Sequence, residues 1–246
     1  MPNFCVSLTS IPPRFSNIRK TIDSLNNQTK KPDKIYLNIP YSYARYPAQN
    51  LDISILDNVY DNLEIIRCED YGPGTKLLGA INKFHKYDYV ILVDDDHIYN
   101  KEMLNFFYEK GLENLDKAYS FCVYKIEDCK VGQGADGFMI NVNFLENIFN
   151  FFINNVKNNK KLFFNDDLWI SIFINKILKK DIENLSFLLK ESFFRRGKSI
   201  YKKHTKIDAL IEMYSSNRRE ARNLRFIENC KEYLSLKHET KNFTDL

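Results

Sequence analysis

"YVILVDDDHIYN", residues 89 to 100, runs five apolar residues straight into three consecutive carboxylates. Tyr89 to Val93 shows no polar alternation, as expected of a short strand covered on both faces of a sheet. Asp94, Asp95 and Asp96 therefore stand where a central strand ends. Three adjacent carboxylates repel one another, so the cluster is stable only if solvated, partly protonated or neutralised by a bound cation. Asp94 and Asp96 form a D-x-D element: in an extended segment residues two apart point to the same side, and both carboxylates can face one cation. All-oxygen ligation of this kind suits Mg2+ or Mn2+, with a diphosphate filling the remaining positions. A solvated acidic turn is the plainer reading of the same three residues.

Outward from this strand, the first 125 residues alternate strand-like and helix-like segments, the pattern of parallel βα repeats. Strands are predicted at Phe4 to Leu8, Lys34 to Ile39, Leu63 to Cys68 and "AYSFCVY". Helices are predicted over 16–27, 75–85 and 101–115. Later, "DGFMINVNFL" reads as a strand leading into a helix over 143–157, "KNNKK" as a polar loop, and "NDDLWISIFINKILKK" as an apolar-periodic helix opened by Asp166 and Asp167. Residues 208–236 read as a helix with many exposed charges. The expected organisation is one α/β domain over residues 1–200 and a charged helical C-terminal extension over 201–246. In open α/β sheets, ligands bind outside the carboxyl ends of the strands, so "TSIPPR", "YGPGTK" and "DDD" are expected to converge.

The 246 residues suffice for a sizeable core, and a formal charge of +4 is modest. That charge suits a phosphate-bearing partner without arguing for nucleic acid, and none is expected. Cys5, Cys68, Cys122, Cys129 and Cys230 are odd in number and form no CxxC pair, which argues against a disulfide framework or a thiolate zinc site. They are read as reduced, in a cytoplasmic setting. The opening "MPNFCVSLTS" lacks the pattern of a signal peptide, and no window approaches a membrane span.

Other stretches carry chemistry of their own. "YGPGTK" places two glycines and a proline before a helix, with Lys76 in its first turn, an arrangement that suits anions and also serves as an ordinary turn. Asp166 and Asp167 at a helix start are favoured by the dipole; followed by Trp169, they also fit a general base beside an aromatic substrate platform. His204, in "YKKHTK", is either a late metal ligand or a surface residue. Arg195, Arg196, Lys198, Lys202 and Lys203 form a basic run: a solvated face, a clamp on a departing diphosphate, or a peripheral contact with an anionic membrane. "GQGADGF" offers Asp136 and Gly137 to a hydroxyl-rich ligand, or forms only a turn.

Taken in order, "VSLTSIPPRF", "YGPGTKLLG", "ILVDDDHIY", "GADGF" and "NDDLWIS" resemble the GT-A fold glycosyltransferases, especially viral and bacterial sugar transferases that begin with SLTS-x-PxR. The resemblance spans residues 4 to about 180. It implies a Rossmann-like, mostly parallel sheet flanked by helices. Implied too is metal-dependent transfer of a sugar from a nucleoside-diphosphate donor, UDP-sugar favoured, to a hydroxyl of a glycan or glycoconjugate, with inversion. On this resemblance Thr9, Ser10 and Arg14 hold the donor's base and ribose, and Lys76 approaches its diphosphate or sugar. Asp96 is the foremost metal ligand, with Asp94 and His204, while Asp94 and Asp95 lie near the donor. Asp167 is the base with Asp166 its near equal. Asp136, Gly137 and Trp169, read from the residues themselves, are expected on the acceptor side. Two rivals stand beside it. A sugar nucleotidyltransferase would carry a glycine-rich loop after the first strand, and "LTSIPPRF" has no glycine; a non-catalytic nucleotide-sugar or carbohydrate-binding module would be expected to lose a carboxylate set.

Overall fold

The structure is a computed structural model that describes residues 2–47, 51–56, 59–126, 128–191 and 200–205. Its centre is a seven-stranded sheet. The strands are β1 (Phe4–Thr9), β2 (Lys34–Pro40), β3 (Leu63–Cys68), β4 (Tyr89–Leu92), β6 (Lys117–Ser120), β9 (Phe138–Asn141) and β10 (Asp181–Asn184). They lie in the order β10-β6-β9-β4-β1-β2-β3. All pairs are parallel except those made by β9, which runs antiparallel between β4 and β6. Two small ribbons complete the described strands: β5 (His97–Tyr99) with β11 (Tyr201–Lys203), and β7 (Val123–Ile126) with β8 (Cys129–Gly132).

The apolar run of β4 is what a doubly covered strand requires. Tyr89, Ile91 and Val93 enter one core with Ile18, Ile22 and Leu25 of α1 (Ile18–Asn26) and with Met103, Leu104 and Phe107 of α3 (Met103–Glu113). Val90 and Leu92 enter the other, with Leu77 and Leu78 of α2 (Thr75–Leu78), Phe151 and Phe152 of α4 (Ile148–Asn155), and Leu168 and Trp169 of α6 (Asp166–Ile172). Because β2 and β3 lie on one side of β1 and β4 on the other, the strand order reverses between β1 and β4. That is the crevice where such sheets bind ligands.

The GT-A architecture expected from the sequence is present, with local differences. The helix expected over 75–85 stops at Leu78, and the chain goes on as a 3-10 turn, Ile81–Lys86. "AYSFCVY" is two strands, because the chain leaves the sheet after Ser120 to form the β7–β8 hairpin. The helix expected from 143 begins at Ile148, after a 3-10 turn and Asn147 in the left-handed region at φ 63°. "KNNKK" is not all loop: its last two residues start α5 (Lys160–Phe163). After α6 the chain widens into a π turn, Phe173–Ile177. The helix expected over 208–236, Cys230, and Arg195, Arg196 and Lys198 of the basic run lie outside the described residues. Of the extension expected from residue 201, Tyr201–Lys203 pairs with β5 as β11. Among the described residues no helix is long and apolar enough to cross a membrane, and Cys5, Cys68, Cys122 and Cys129 are free.

Candidate active site

The carboxyl ends of β1 and β4 face each other across the switch point. Asp95 and Asp96 lie in a tight turn between β4 and β5. The extended geometry expected for D-x-D is therefore replaced by a turn, which nevertheless gathers Asp94, Asp96 and His97 so that their ligand atoms lie within 4.8 Å of one another. That spacing fits a divalent cation, whose oxygen ligands stand about 2.0–2.6 Å from it. His97 was missed in the sequence. It is buried, with Nδ1 2.6 Å from Asp96 Oδ1, and its place directly after the triple Asp was the available signal.

Each carboxylate of the run has its own cationic neighbour. Lys76 Nζ is 2.5 Å from Asp94 Oδ1, and Arg14 Nη1 is 2.6 Å from Asp95 Oδ1 and 3.6 Å from Asp96 Oδ2. Lys203 Nζ is 2.9 Å from Asp96 Oδ2. Ser10 Oγ donates to Asp95 Oδ2 at 2.5 Å. Ser10 and Arg14 thus converge on the acidic turn itself, clamping Asp95. Thr9 turns aside and donates to Asn38 O at 2.8 Å. Burial pushes Asp94 and Asp96 up, yet Lys76 for Asp94, and His97 with Arg14 and Lys203 for Asp96, hold both below the usual carboxylate range.

Lys76 is the hub. Besides Asp94 it contacts Asp166 Oδ2 at 3.0 Å, while its own carbonyl accepts from Ser7 Oγ at 2.6 Å. Burial acts against its charge, but Asp166, Asp94 and Asp167 outweigh it and hold Lys76 protonated. The anion cradle expected of "YGPGTK" is largely occupied by the chain: Gly72 N donates to Asp70 Oδ1 at 2.9 Å and Tyr71 N to Thr75 Oγ1 at 3.0 Å.

Asp166 and Asp167 open α6 as expected, but their surroundings differ. Asp166 is buried against Lys76. Asp167 is half-buried and accepts from Gly134 N at 2.8 Å. Burial, with Asp166 nearby, pushes the Asp167 carboxyl up to about 8 against the opposing pull of Lys76. A Cβ at Gly134 would stand 3.1 Å from Lys76 Nζ and 3.2 Å from Asp167 Oδ1, close enough to press on both groups.

Of the three residues expected to face an acceptor, Trp169 is withdrawn into the core. Trp169 is fully buried, packed on Phe152 with ring centroids 5.5 Å apart and lying so close to Gly74 that a Cβ there would come within 2.8 Å. It supports the GPG turn and is no exposed platform, because all of α6 from Leu168 to Ile172 is buried. Gly137, at φ 86°, is required by its backbone and by Phe107, 2.8 Å from where a Cβ would be. Asp136 is half-buried in the same turn.

His204 reaches the site but not the ligand group. Its N–H donates to Asp96 O at 2.9 Å, and its ring Nε2 lies 3.0 Å from Thr21 Oγ1. Thr21 Oγ1 donates to Asp95 O at 2.7 Å, so it can only accept from His204 Nε2–H. That tautomer leaves Nδ1, buried and without a hydrogen-bond partner among the described residues, as a bare lone pair. Burial, then Lys20, lowers the His204 pKa, which agrees with a neutral ring.

Fold and site together define a GT-A glycosyltransferase domain. Residues 14–178 match the family model described as glycosyl transferase family 2, and the chain belongs to that family. No curated protein sequence matches it. Among solved structures, the chain is similar to the mannosyltransferase PcManGT from Pyrobaculum calidifontis in complex with GDP-Man and Mn2+. The TM-score is 0.59 at 13% identity, over 94% of this chain and 64% of that one. It is also similar to TarS from S. aureus in complex with UDP, with TM-score 0.55 at 15% identity over 86% of this chain and 63% of that one. The chain spans less than two thirds of either protein, and at these identities the likeness establishes the fold.

Proposed function

We propose that the chain transfers a sugar from a nucleoside-diphosphate sugar, UDP-sugar favoured, to a hydroxyl of a glycan or glycoconjugate, with inversion. The observation that carries the reading is the Lys76 bridge, which joins Asp94 of the metal-competent group to Asp166 beside Asp167. Two carboxylate sets, given different tasks in this reading, are thereby joined through one buried ammonium. The names of the structural neighbours, which carry GDP-Man with Mn2+ and UDP, support a sugar-nucleotide donor.

Asp94, Asp96 and His97 would hold Mn2+ or Mg2+, with His204 a further candidate. The metal would offset the negative charge that develops on the departing nucleoside diphosphate. Arg14 and Ser10 fix Asp95 and so hold the acidic turn in shape. Lys76 keeps Asp94 charged, ties it to Asp166, and presents positive charge to the donor. Asp167, set by Gly134 N–H, removes the proton from the acceptor hydroxyl as that oxygen attacks the anomeric carbon. A carboxyl raised to about 8 is poised for this task, since a base is most effective near the operating pH. Asp136 remains on the proposed acceptor side, and Trp169 serves there through the loop that it supports.

Asp96→Ala tests the reading: metal-dependent nucleotide binding is expected to vanish, and wild-type affinity in that variant would remove the metal assignment.

A further inference from the structure

Asp96 stands within the group that would hold a divalent cation, yet its carboxylate already has a resident one. Lys203 Nζ lies 2.9 Å from Oδ2, while His97 Nδ1 lies 2.6 Å from Oδ1. Lys203 is delivered by a ladder, for β11 pairs antiparallel with β5 and sets Lys203 opposite His97. The next residue, His204, fixes the register by donating its N–H to Asp96 O. The Asp96 side chain is 5% exposed and that of Lys203 is 32%, so the ammonium reaches inward from the rim. Arg14, also near Asp96 Oδ2, makes its shorter contact with Asp95.

We infer that Lys203 is a surrogate cation that holds Asp96 in the metal-free protein and competes with the divalent ion for that carboxylate. This rests on the reading of Asp94, Asp96 and His97 as the metal site. A divalent ion about 2.1 Å from a carboxylate oxygen would stand within a few ångströms of an ammonium on the same group, and the two positive charges repel. Uptake of the metal therefore releases Lys203 at the mouth of a site where a diphosphate is expected, and phosphate oxygens would be its next partner. Metal and nucleotide binding become mutually favourable, and such coupling is reciprocal.

The test is calorimetric titration with MnCl2 alone, then with UDP at saturating Mn2+ and without it. Four forms of the full chain are compared: wild type, Lys203→Met, Lys203→Arg and Lys202→Met. Lys202 is exposed, pairs with Ile98 and points to the other side of the strand, so it controls for simple loss of charge. Lys203→Met is expected to bind Mn2+ about tenfold more tightly, a difference of about 1.4 kcal/mol, and to show a smaller enhancement of UDP binding by Mn2+. Lys203→Arg and Lys202→Met should stay close to wild type. Equal Mn2+ affinity in wild type and Lys203→Met, or the same gain in Lys202→Met, overturns the inference. Mn2+ binding to none of the four overturns the metal reading of the site, and the role of Lys203 with it.

Discussion

Replacing Lys76 by Met keeps a long apolar stem and removes the ammonium that joins two acidic groups. Lys76 is 5% exposed, and its contacts are 2.5 Å to Asp94 and 3.0 Å to Asp166. Taking one partner from a buried ion pair costs about 3–5 kcal/mol, because the other charge is left without compensation. The Asp94 side chain is 31% exposed and can recover some hydration, so the expected loss is about 3 kcal/mol. For a chain of this size each kcal/mol shifts Tm by about 2–4 °C, which gives a fall of about 6–12 °C at pH 7.5. The pH dependence has a definite sign. Burial raises Asp94 but Lys76 overcomes it, leaving the carboxyl below its usual value. Its stabilising contribution is therefore present above the unfolded pKa of about 3.9 and is lost as pH falls through the lower folded value. In Lys76→Met burial acts on Asp94 without the opposing ammonium and raises its carboxyl, so the folded variant takes up a proton as pH falls toward 4 and its deficit should shrink there. Thermal unfolding followed by circular dichroism at both pH values reads this, and adding Asp166→Asn to Lys76→Met should restore part of the loss. A Tm within 2 °C of wild type at both pH values would refute the idea of a mutually dependent network.

Asp167→Asn should leave donor binding intact and abolish transfer, measured as nucleotide release with acceptor present; if only Asp166→Asn does so, the base is the neighbouring residue. The rate of transfer at low acceptor should climb as pH rises through about 8, because Asp167 acts as its carboxylate, and a flat profile between pH 6 and 9 would contradict that role. The same raised value makes the Asp167 contribution to stability full below pH 4 and lost as pH rises through about 8. Gly134→Ala should keep the fold, yet lower turnover about 10- to 100-fold, because a methyl group 3.1 Å from Lys76 Nζ and 3.2 Å from Asp167 Oδ1 displaces both. Turnover equal to wild type would show that neither group needs its present position.

The parts of this molecule legible in the sequence are those governed by local pattern. Tyr89 to Val93 could be read because residues feeding two cores leave no polar alternation, and Asp166 with Asp167 because acidic residues mark a helix start. Hidden parts depend on pairing across long separations. Lys203 meets Asp96 only because β11 returns more than a hundred residues later to β5, and no periodicity announces a three-residue strand. Ser10 and Arg14 follow the first strand as expected, but that both would grip Asp95 required knowing that β1 and β4 are neighbours. Trp169 misled for the opposite reason. An aromatic beside two carboxylates suggests a platform, whereas α6 is buried from Leu168 to Ile172 and turns the indole into core. The break after Leu78 escaped notice because "TKLLGAINKFH" keeps an apolar spacing that serves a helix and a 3-10 turn alike.

Calorimetric titration of the protein with UDP, GDP and dTDP, each with and without Mn2+, tests the account most directly. Saturable binding of one nucleotide, strong with Mn2+ and weak without it, is the predicted result and would identify the donor's base. A folded protein that binds none of the three in the presence of Mn2+ would contradict the account and leave Asp94, Asp95 and Asp96 as an acidic turn held together by Lys76, Arg14, Ser10, His97 and Lys203.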